Sequence, residues 1–308
     1  MNKVLRIGTR ESELAVWQAT LVQQSLAQHH ILSELVYIKS EGDIDLVTPL
    51  YAIGVQGIFT KTLDAALLSN RIDIAVHSMK DVPTQMAQGI AQAAVLKRAS
   101  QTDVLVYKNN PGFLEDEQSA AVIATSSVRR MAQWLNRYPN HQIENLRGNV
   151  NTRMQKVANS NWNGAIFAAA GIERIGLRPA NAIDLHWMLP APAQGAIMVV
   201  YREEDKNVLA QCALLNDVDT AVCTKIERDF LRALMGGCST PIGALAQIEN
   251  GDLLFKGNIL SPDGKHKAAI EQHIKLSDAD SSIGTTLAQR ILADGGAAIM
   301  ETIQHAKK

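Results

Sequence analysis

The chain has 308 residues, 46% of them hydrophobic, which is long for one compact core and sufficient for two or three domains. Its 30 Lys and Arg nearly balance 31 Asp and Glu, so the net charge of -1 argues against a surface built to hold nucleic acid, and any anion site must be a local cluster. Three cysteines form no C-x-x-C pair, and no apolar run reaches the roughly 18 residues of a membrane span, so we expect a soluble cytoplasmic protein.

Short apolar strands alternate with helical patterns along the first two thirds of the chain. The first predicted helix has Leu14, Trp17, Leu21 and Leu26 on one side. Further helices are predicted over 60–69, 128–138 and 151–159. Strands are predicted over 4–8, 35–38, 72–77, 103–107, 121–125, 142–146, 165–169 and 196–201. This alternation indicates an α/β fold with parallel or mixed sheets.

The domain boundaries follow from one linker and one change of pattern. A Pro-rich linker covers 189–195, and the strand after it is expected to return to the first sheet. After residue 238 the pattern becomes a meander with hairpin turns at 250–251 and 262–264, followed by a helix over about 281–293. We therefore expect two similar α/β domains flanking a cleft and a small α+β domain. They would cover 1–98 with 195–215, then 99–194, then 216–308.

One cysteine stands in a setting that differs from the other two. The amphipathic pattern over 226–234 predicts a helix that Gly236 and Gly237 stop and that Pro241 keeps from resuming. Cys238 is then expected on a loop, where its sulfur could carry a covalent group. A buried cysteine acting as a small hydrophobic side chain beside a tight turn fits this segment equally well.

Polar side chains follow the third predicted strand at the place where open α/β sheets bind ligands. Ser78, Lys80 and Asp81 come directly after the apolar residues of that strand. A cation beside a carboxylate could bind an anionic substrate and transfer a proton. The alternative is a solvated loop whose charges face water.

Arginines recur at several junctions between a strand and the next helix. At 125–130, three hydroxyls end a strand and two arginines open a helix, so free backbone N–H groups and guanidinium groups converge. Arginine in a first helical turn opposes the helix dipole, which is a cost that an anion would offset, although solvated arginines are the alternative. Further members of the pattern are Arg10, Ser12, Arg147, Arg153 and Arg174. A cleft with arginines on both walls suits a ligand with many carboxylates or phosphates.

Several common motifs are absent from the sequence. It contains no G-x-x-x-x-G-K-[ST], no strand-linked G-x-G-x-x-G, no H-E-x-x-H and no clustered His/Cys spacing. Nucleotide and metal chemistry are therefore disfavoured, and no metal is expected. The eight histidines are scattered, and we interpret them as surface residues.

Five motifs together resemble those of the porphobilinogen deaminases, also called hydroxymethylbilane synthases. They are RIGTRES at 6–12, DIAVHSMKDVPT at 73–84, ATSSVRR at 124–130, LRGNVNTR at 146–153 and GGC at 236–238. The resemblance covers nearly the whole chain. It implies an active cleft between the first two domains and a dipyrromethane cofactor held by a thioether to Cys238. On this primer, four porphobilinogen molecules would be condensed head to tail and then hydrolysed off.

The resemblance also implies roles for individual residues. Asp81 would be the general acid/base and would stabilise the cationic azafulvene left when porphobilinogen loses ammonia. The cofactor would be bound by Ser78, Lys80, Asp81, Thr125, Ser127, Arg129, Arg130, Arg147, Asn149 and Arg153. The substrate would be bound by Arg10, Ser12, Phe59, Arg147, Arg153, Arg174 and Gln194. The protein would be a monomer whose partner is its small-molecule substrate, porphobilinogen. It would bind neither nucleic acid nor a membrane.

The chain departs from the family pattern at a few positions. Ala52 and Gln56 stand where many relatives have lysines, so this loop supplies less positive charge than usual. Glu13 replaces a frequent proline, Ala193 a common glycine and Met235 a common acidic residue. None of these positions coincides with Asp81, Cys238 or the arginines of the second domain's motifs, so we expect activity to be retained.

Two other classes of function fit parts of the sequence. A two-domain protein that binds a polycarboxylate or oxyanion without catalysis would need the arginines but neither Asp81 nor Cys238. A binder of single-stranded nucleic acid or phosphate would also use the arginines. It is disfavoured by the nearly neutral net charge and by an aromatic content of only 5%.

Overall fold

The computed structural model describes residues 4–39, 60–237, 240–278 and 280–305. The strands within these ranges are β1 (Leu5–Thr9), β2 (Ser33–Tyr37), β3 (Ile74–Ser78), β4 (Ile90–Val95), β5 (Asp103–Tyr107), β6 (Val122–Ala124), β7 (Gln142–Glu144), β8 (Gly164–Ala168), β9 (Ala182–Asp184), β10 (Ile197–Arg202), β11 (Ile242–Glu249), β12 (Asp252–Leu260) and β13 (Lys267–Lys275). The helices are α1 (Glu13–Gln28), α2 (Lys61–Leu68), α3 (Val128–Arg137), α4 (Val150–Asn159), α5 (Ala169–Glu173), α6 (Lys206–Cys212), α7 (Val218–Ala233), α8 (Ile283–Ile291) and α9 (Ala297–His305).

Two mixed five-stranded sheets share one arrangement. The first has the order β2-β1-β3-β10-β4, and the second has the order β7-β6-β8-β5-β9. In each sheet three neighbouring strands run parallel. Strand β10 runs antiparallel to β3 in the first sheet, and β5 runs antiparallel to β8 in the second. The prediction of two similar α/β units with mixed sheets is confirmed, and so is the return of the strand after the linker to the first sheet.

Helices cover the buried strands of the first sheet. Strand β10 is buried along its whole length, as expected for a central strand with helices on both faces. Helix α1 packs on this sheet through Ala19, Val22 and Leu26. Of the predicted stripe, Leu26 is fully buried in this core, and Trp17 and Leu21 are partly buried and pack against it.

The third sheet is an antiparallel meander, as predicted. Strands β11 and β12 are joined by a turn in which Asn250 and Gly251 both have positive φ, the signature of a tight hairpin. Phe230 of α7 and Phe255 of β12 form the centre of its core, with ring centroids 5.0 Å apart. The proposed domain boundaries at 98/99, 194/195 and 215/216 remain a prediction.

Helix α7 ends at Ala233, and its left-handed terminating residue lies one position before the glycines that were predicted to stop it. Met235 has a left-handed φ of +50°, and the Gly236 N–H donates to the Leu231 carbonyl to close the helix. The αL position that usually holds glycine is therefore occupied by a methionine. Among the described helices, none is both long and apolar enough to cross a membrane.

The prediction that the histidines lie on the surface is wrong for two of them. His77 lies on the buried strand β3 and is 6% exposed. His141 is 5% exposed; its Nδ1 accepts a hydrogen bond from the Trp134 indole, and its ring stacks on Tyr138. Both occur in apolar or aromatic surroundings, where a neutral imidazole packs as a partly apolar ring.

Candidate functional site

A cleft of about 280 Å³ is lined by the ends of β1, β3, β6 and β8 and by the starts of α1, α3 and α4. Parallel strands bring their carboxyl ends to one edge of a sheet, which is why these junctions meet. The predicted residues that line this cleft are Arg10, Ser12, Ser78, Lys80, Asp81, Thr125, Ser127, Arg129, Arg130, Arg147, Asn149, Arg153 and Gln194. The predicted residues Phe59 and Cys238 lie outside the described residues, as do the departures Ala52 and Gln56.

Strand β3 supplies one wall of the cleft. Ser78 ends the strand, and a single 3₁₀ turn over Met79–Asp81 buries Met79 and carries Lys80 and Asp81 to the cleft lining. The buried side chain of Gln18, on α1, donates from Nε2 to Ser78 Oγ at 2.9 Å. Lys80 and Asp81 are both partly buried, so the solvated-loop alternative does not describe this turn.

Lys80 is held in a largely dehydrated setting that contains both guanidiniums and carboxylates. Its Nζ donates to Gln194 Oε1 at 3.2 Å. Burial lowers the pKa of Lys80 to about 8, and the nearby guanidinium of Arg130 adds to that lowering, while the carboxylates of Asp81 and Asp103 oppose it.

The start of α3 supplies the opposite wall. Ser127 caps the helix with its hydroxyl, and Arg129 and Arg130 are both almost fully buried in the first turn. Asp103, at the start of β5, lies between them: its Oδ2 is 2.7 Å from Arg129 Nη1, and its Oδ1 is 2.8 Å from Arg130 Nη2. Burial alone would raise the pKa of Asp103, but the two guanidiniums hold it well below its usual range. Asp103 is thus a site residue that the sequence analysis missed.

The start of α4 brings further positive charge. Asn149 caps the helix by accepting from the Thr152 N–H, and Arg153 Nε donates to the Gly148 carbonyl at 2.7 Å. Burial, together with the neighbouring charges of Arg130 and Arg147, lowers the pKa of Arg153 to about 10. Helices α3 and α4 thus both direct their positive N-terminal ends at the same cleft.

Two predicted substrate residues are engaged with the protein itself. Arg174 is not part of the cleft lining. Its Nη2 donates to the Gly195 carbonyl at 2.7 Å, and its guanidinium lies 5.6 Å from the centroid of the Trp17 ring. Gln194 is fully buried, and its side-chain amide bonds Lys80, the Gln101 carbonyl and Asp103. Substrate binding by these two residues remains a prediction.

The two sheets also make contact at the rim of the cleft. Asn151, at the start of α4, donates from Nδ2 to Glu13 Oε2 at 2.7 Å, and Glu13 opens α1. Glu13 is one of the departures from the family pattern. Its carboxylate therefore links the α1 and α4 walls at a position where proline could not.

The chemistry of the lining favours a ligand with several carboxylates. Its cationic side chains are Arg10, Lys80, Arg129, Arg130, Arg147 and Arg153, and its carboxylates are Glu13 and Asp81. The buried Nε of Arg129 has no hydrogen-bond partner among the described residues. A buried donor of this kind is costly unless an acceptor reaches it, so the lining fits an anionic group, and Asp81 adds a carboxylate able to exchange a proton there.

The other ionisable groups offer less reactive chemistry. Burial raises the pKa of both Cys212 and Cys223 to about 12, which keeps these thiols protonated and poorly nucleophilic. Within the described ranges, no three His, Cys, Asp or Glu side chains are grouped so as to hold a metal ion.

Comparison with known proteins assigns nearly the whole chain. The family model described as "Porphobilinogen deaminase, dipyromethane cofactor binding domain" matches residues 5–210, and "Porphobilinogen deaminase, C-terminal domain" matches residues 221–293. A porphobilinogen deaminase of Chlorobium phaeobacteroides is 39% identical, with 99% of each chain covered. One of Syntrophomonas wolfei is 40% identical over 96% of this chain and 97% of that protein.

Solved structures show a more distant similarity that covers part of the chain. The VFT2 domain of Bordetella pertussis BvgS is similar at a TM-score of 0.43 and 10% identity, covering 69% of this chain and 86% of that one. A periplasmic substrate-binding protein of Coxiella burnetii is similar at a TM-score of 0.42 and 16% identity, covering 71% and 94%.

Proposed function

The chain belongs to the porphobilinogen deaminase family, and on that premise we propose that it condenses four porphobilinogen molecules head to tail and releases the linear tetrapyrrole hydroxymethylbilane. The family is hydroxymethylbilane synthase, a transferase of tetrapyrrole biosynthesis, and this chain carries its dipyrromethane cofactor-binding domain. The four-step condensation, the final hydrolysis and the residue roles below are the proposal.

One observation carries the proposal: Asp81 shares a single cleft with cationic side chains from both sheets. Each porphobilinogen ring bears an acetate and a propionate, so a two-ring primer extended by four rings bears about twelve carboxylates, for which guanidinium groups are the natural partners. The alternative of a non-catalytic binder accounts for the arginines but gives Asp81 no task.

The cleft has the donor set that a dipyrromethane requires. When bound, this group supplies the primer to which the pyrrole units are added. Its carboxylates would pair with Lys80, Arg129, Arg130, Arg147 and Arg153, and Ser78, Thr125, Ser127 and Asn149 would provide hydrogen bonds. The buried, unpartnered Nε of Arg129 supports this assignment. Gly237, which precedes the proposed attachment point Cys238 in the sequence, donates its N–H to Thr240 Oγ1 at 3.0 Å.

Asp81 would manage charge and protons at the reacting carbon. Loss of ammonia from porphobilinogen leaves a cationic methylene-pyrrole, which a fixed carboxylate stabilises more effectively in a partly dehydrated cleft than in water. The same carboxylate would accept the proton lost by the pyrrole ring carbon that bonds to this methylene. Positioned general bases contribute roughly 10²–10⁴ in rate.

Arg10 and Ser12 lie on the wall formed by β1 and α1 and would orient the incoming substrate. Phe59, Arg174 and Gln194 keep the substrate roles that the resemblance implies. We also propose that the protein is cytoplasmic, where the free thiols of Cys212 and Cys223 would stay reduced, and that it acts as the monomer that the family resemblance implies.

The test is to follow the reaction on porphobilinogen itself. The proposal predicts ammonia released in equal amount to porphobilinogen consumed, with a linear tetrapyrrole as product. Asp81→Asn should abolish most of this turnover, whereas Asp252→Asn, at an exposed carboxylate on β12, should leave it unchanged. Binding of porphobilinogen without release of ammonia would contradict the proposal and favour the non-catalytic binder.

A further inference from the structure

The carboxylate of Asp103 is buried behind the cationic wall and is not part of the cleft lining. Its Oδ1 accepts from Arg130 Nε at 3.0 Å and from Arg130 Nη2 at 2.8 Å. Its Oδ2 lies 2.7 Å from Arg129 Nη1. One carboxylate thus holds two adjacent guanidiniums that both reach the cleft.

The same carboxylate is connected to the opposite wall. Asp103 Oδ1 also accepts from Gln194 Nε2 at 2.9 Å, and Gln194 Oε1 accepts from Lys80 Nζ at 3.2 Å. Gln194 belongs to the linker between the two mixed sheets. Its Nε2 also donates to the carbonyl of Gln101, which lies on the segment that connects β4 to β5. Asp103 is therefore tied to cations from both walls.

Arg129 and Arg130 need a buried counter-charge. Arg129 and Arg130 are neighbours in the first turn of α3, where the helix dipole already disfavours cations, and both are about 95% buried. Two buried guanidiniums without a counter-charge would be strongly destabilised. A fixed internal carboxylate lets them remain buried and aligned before any anionic ligand arrives.

We propose that Asp103 is a positioning residue that assembles the cationic wall in advance: one oxygen fixes Arg129, and the other fixes Arg130 and, through Gln194, Lys80. Such advance alignment removes the cost of gathering like charges at the moment of binding. The proposal rests on the proposed function in so far as the wall is meant for the carboxylates of the cofactor and substrate.

The test measures the state of Lys80 without using turnover. Among the described residues, the groups that face Lys80 include Asp81, Asp103, Arg129, Arg130 and Gln194. Removing the negative charge of Asp103 leaves the ammonium among guanidiniums, so the pKa of Lys80 should fall. The pH dependence of Lys80 acetylation by acetic anhydride, read by peptide mass, reports that pKa directly. All proteins carry Cys238→Ser, so that none bears a covalent group and all are compared in one state.

In this background, Asp103→Asn should lower the midpoint of Lys80 labelling by roughly one pH unit, the size of one close charge interaction. The matched control is Asp73→Asn. Asp73 is equally buried and pairs with Arg6 and Arg202 in the first sheet, away from the cleft. Asp73→Asn should destabilise the protein without changing the pH midpoint of Lys80 labelling. An unchanged midpoint in Asp103→Asn, or an equal shift in both variants, would overturn the proposal.

A second variant keeps the test decisive if Asp103→Asn fails to fold. Gln194→Met keeps the Asp103 contacts with both arginines and removes the hydrogen bonds of Gln194 to Lys80, Asp103 and the Gln101 carbonyl. The labelling midpoint should again fall, and an unchanged midpoint would overturn the proposed connection.

Intact mass of the protein with Cys238 in place supplies an independent measurement. Asp103→Asn should carry the covalent adduct on a several-fold smaller fraction of molecules than Asp73→Asn does, and an adduct present on equal fractions of the two variants would overturn the proposal. If no protein carries an adduct while the Lys80 midpoint shifts as expected, the proposed function fails and the positioning role of Asp103 stands.

Discussion

Glu227 joins three parts of the chain through one buried carboxylate. It lies on α7 and is fully buried. Its Oε1 accepts from Arg98 Nη1 at 2.6 Å and from the Ala246 N–H at 2.8 Å. Its Oε2 accepts from Arg98 Nη2 at 3.0 Å and from the Ala193 N–H at 2.6 Å. The carboxylate thus connects the third sheet to the linker and to the segment between β4 and β5.

Glu227→Gln has a cost that the contact geometry sets. All four partners of the carboxylate are N–H donors, and an amide has one oxygen, so either orientation of the substituted side chain turns its NH₂ toward two of them. Each buried donor without an acceptor costs about 1–3 kcal/mol. The Arg98 guanidinium, 12% exposed, also loses its counter-charge. We therefore expect a loss of about 3–5 kcal/mol in the free energy of unfolding, the range for breaking a buried ion pair.

Urea unfolding followed by circular dichroism measures this loss. The matched control is Glu271→Gln, which removes the charge from the exposed pair of Glu271 with Lys256 and should cost at most about 1 kcal/mol. A loss for Glu227→Gln below about 1 kcal/mol, or no larger than that of the control, would refute the reasoning that the carboxylate's four donors make it indispensable.

Three further predictions concern single residues. Asp81→Asn should lower kcat by roughly 10²–10⁴ while the covalent adduct remains in the intact mass, and near-normal turnover would remove Asp81 from the chemistry. Met235→Gly should raise the free energy of unfolding by about 0.5–1 kcal/mol, because this 75% exposed residue has a left-handed φ, whereas a loss in urea unfolding would show that the conformation is unstrained. Burial lowers the pKa of His77 to about 4 from 6.5, so the unfolded state binds a proton that the folded state does not as pH falls through that window. Stability should therefore be complete above pH 6.5 and fall by up to about 3 kcal/mol by pH 4, and His77→Gln should flatten this dependence; an unchanged slope in that variant would contradict it.

The sequence predicted the features of the site that depend on local order along the chain. Arg129, Arg147 and Lys80 each follow a strand closely, and the carboxyl ends of parallel strands meet at one edge, so reading strand-to-helix junctions was enough to gather the cationic lining. The two mixed sheets were predictable for the same reason, because apolar strands alternate with helical patterns.

The contacts that arise from distant pairings were not predictable. Asp103 meets Arg130 across 27 residues, and nothing local distinguishes it from an ordinary polar residue at a strand start; a charge opening an otherwise apolar strand was the only signal. Strand β4 is rich in alanine and has weak strand propensity. It is a strand because β10 pairs with it.

His77 and Met235 show where general tendencies misled. Histidine is often exposed, but His77 occupies a strand that is buried on both faces. Glycine usually ends a helix, yet the left-handed residue at the end of α7 is Met235, one position earlier. For His77, burial of the whole strand overrides the preference of the residue, whereas the exposed Met235 takes its conformation from the way the chain leaves α7.

The intact mass of the purified protein, with and without Cys238→Ser, tests the central claim most directly. The account predicts a two-pyrrole adduct on the parent protein that is missing from the variant. A parent protein that stays unmodified even after incubation with porphobilinogen would contradict it.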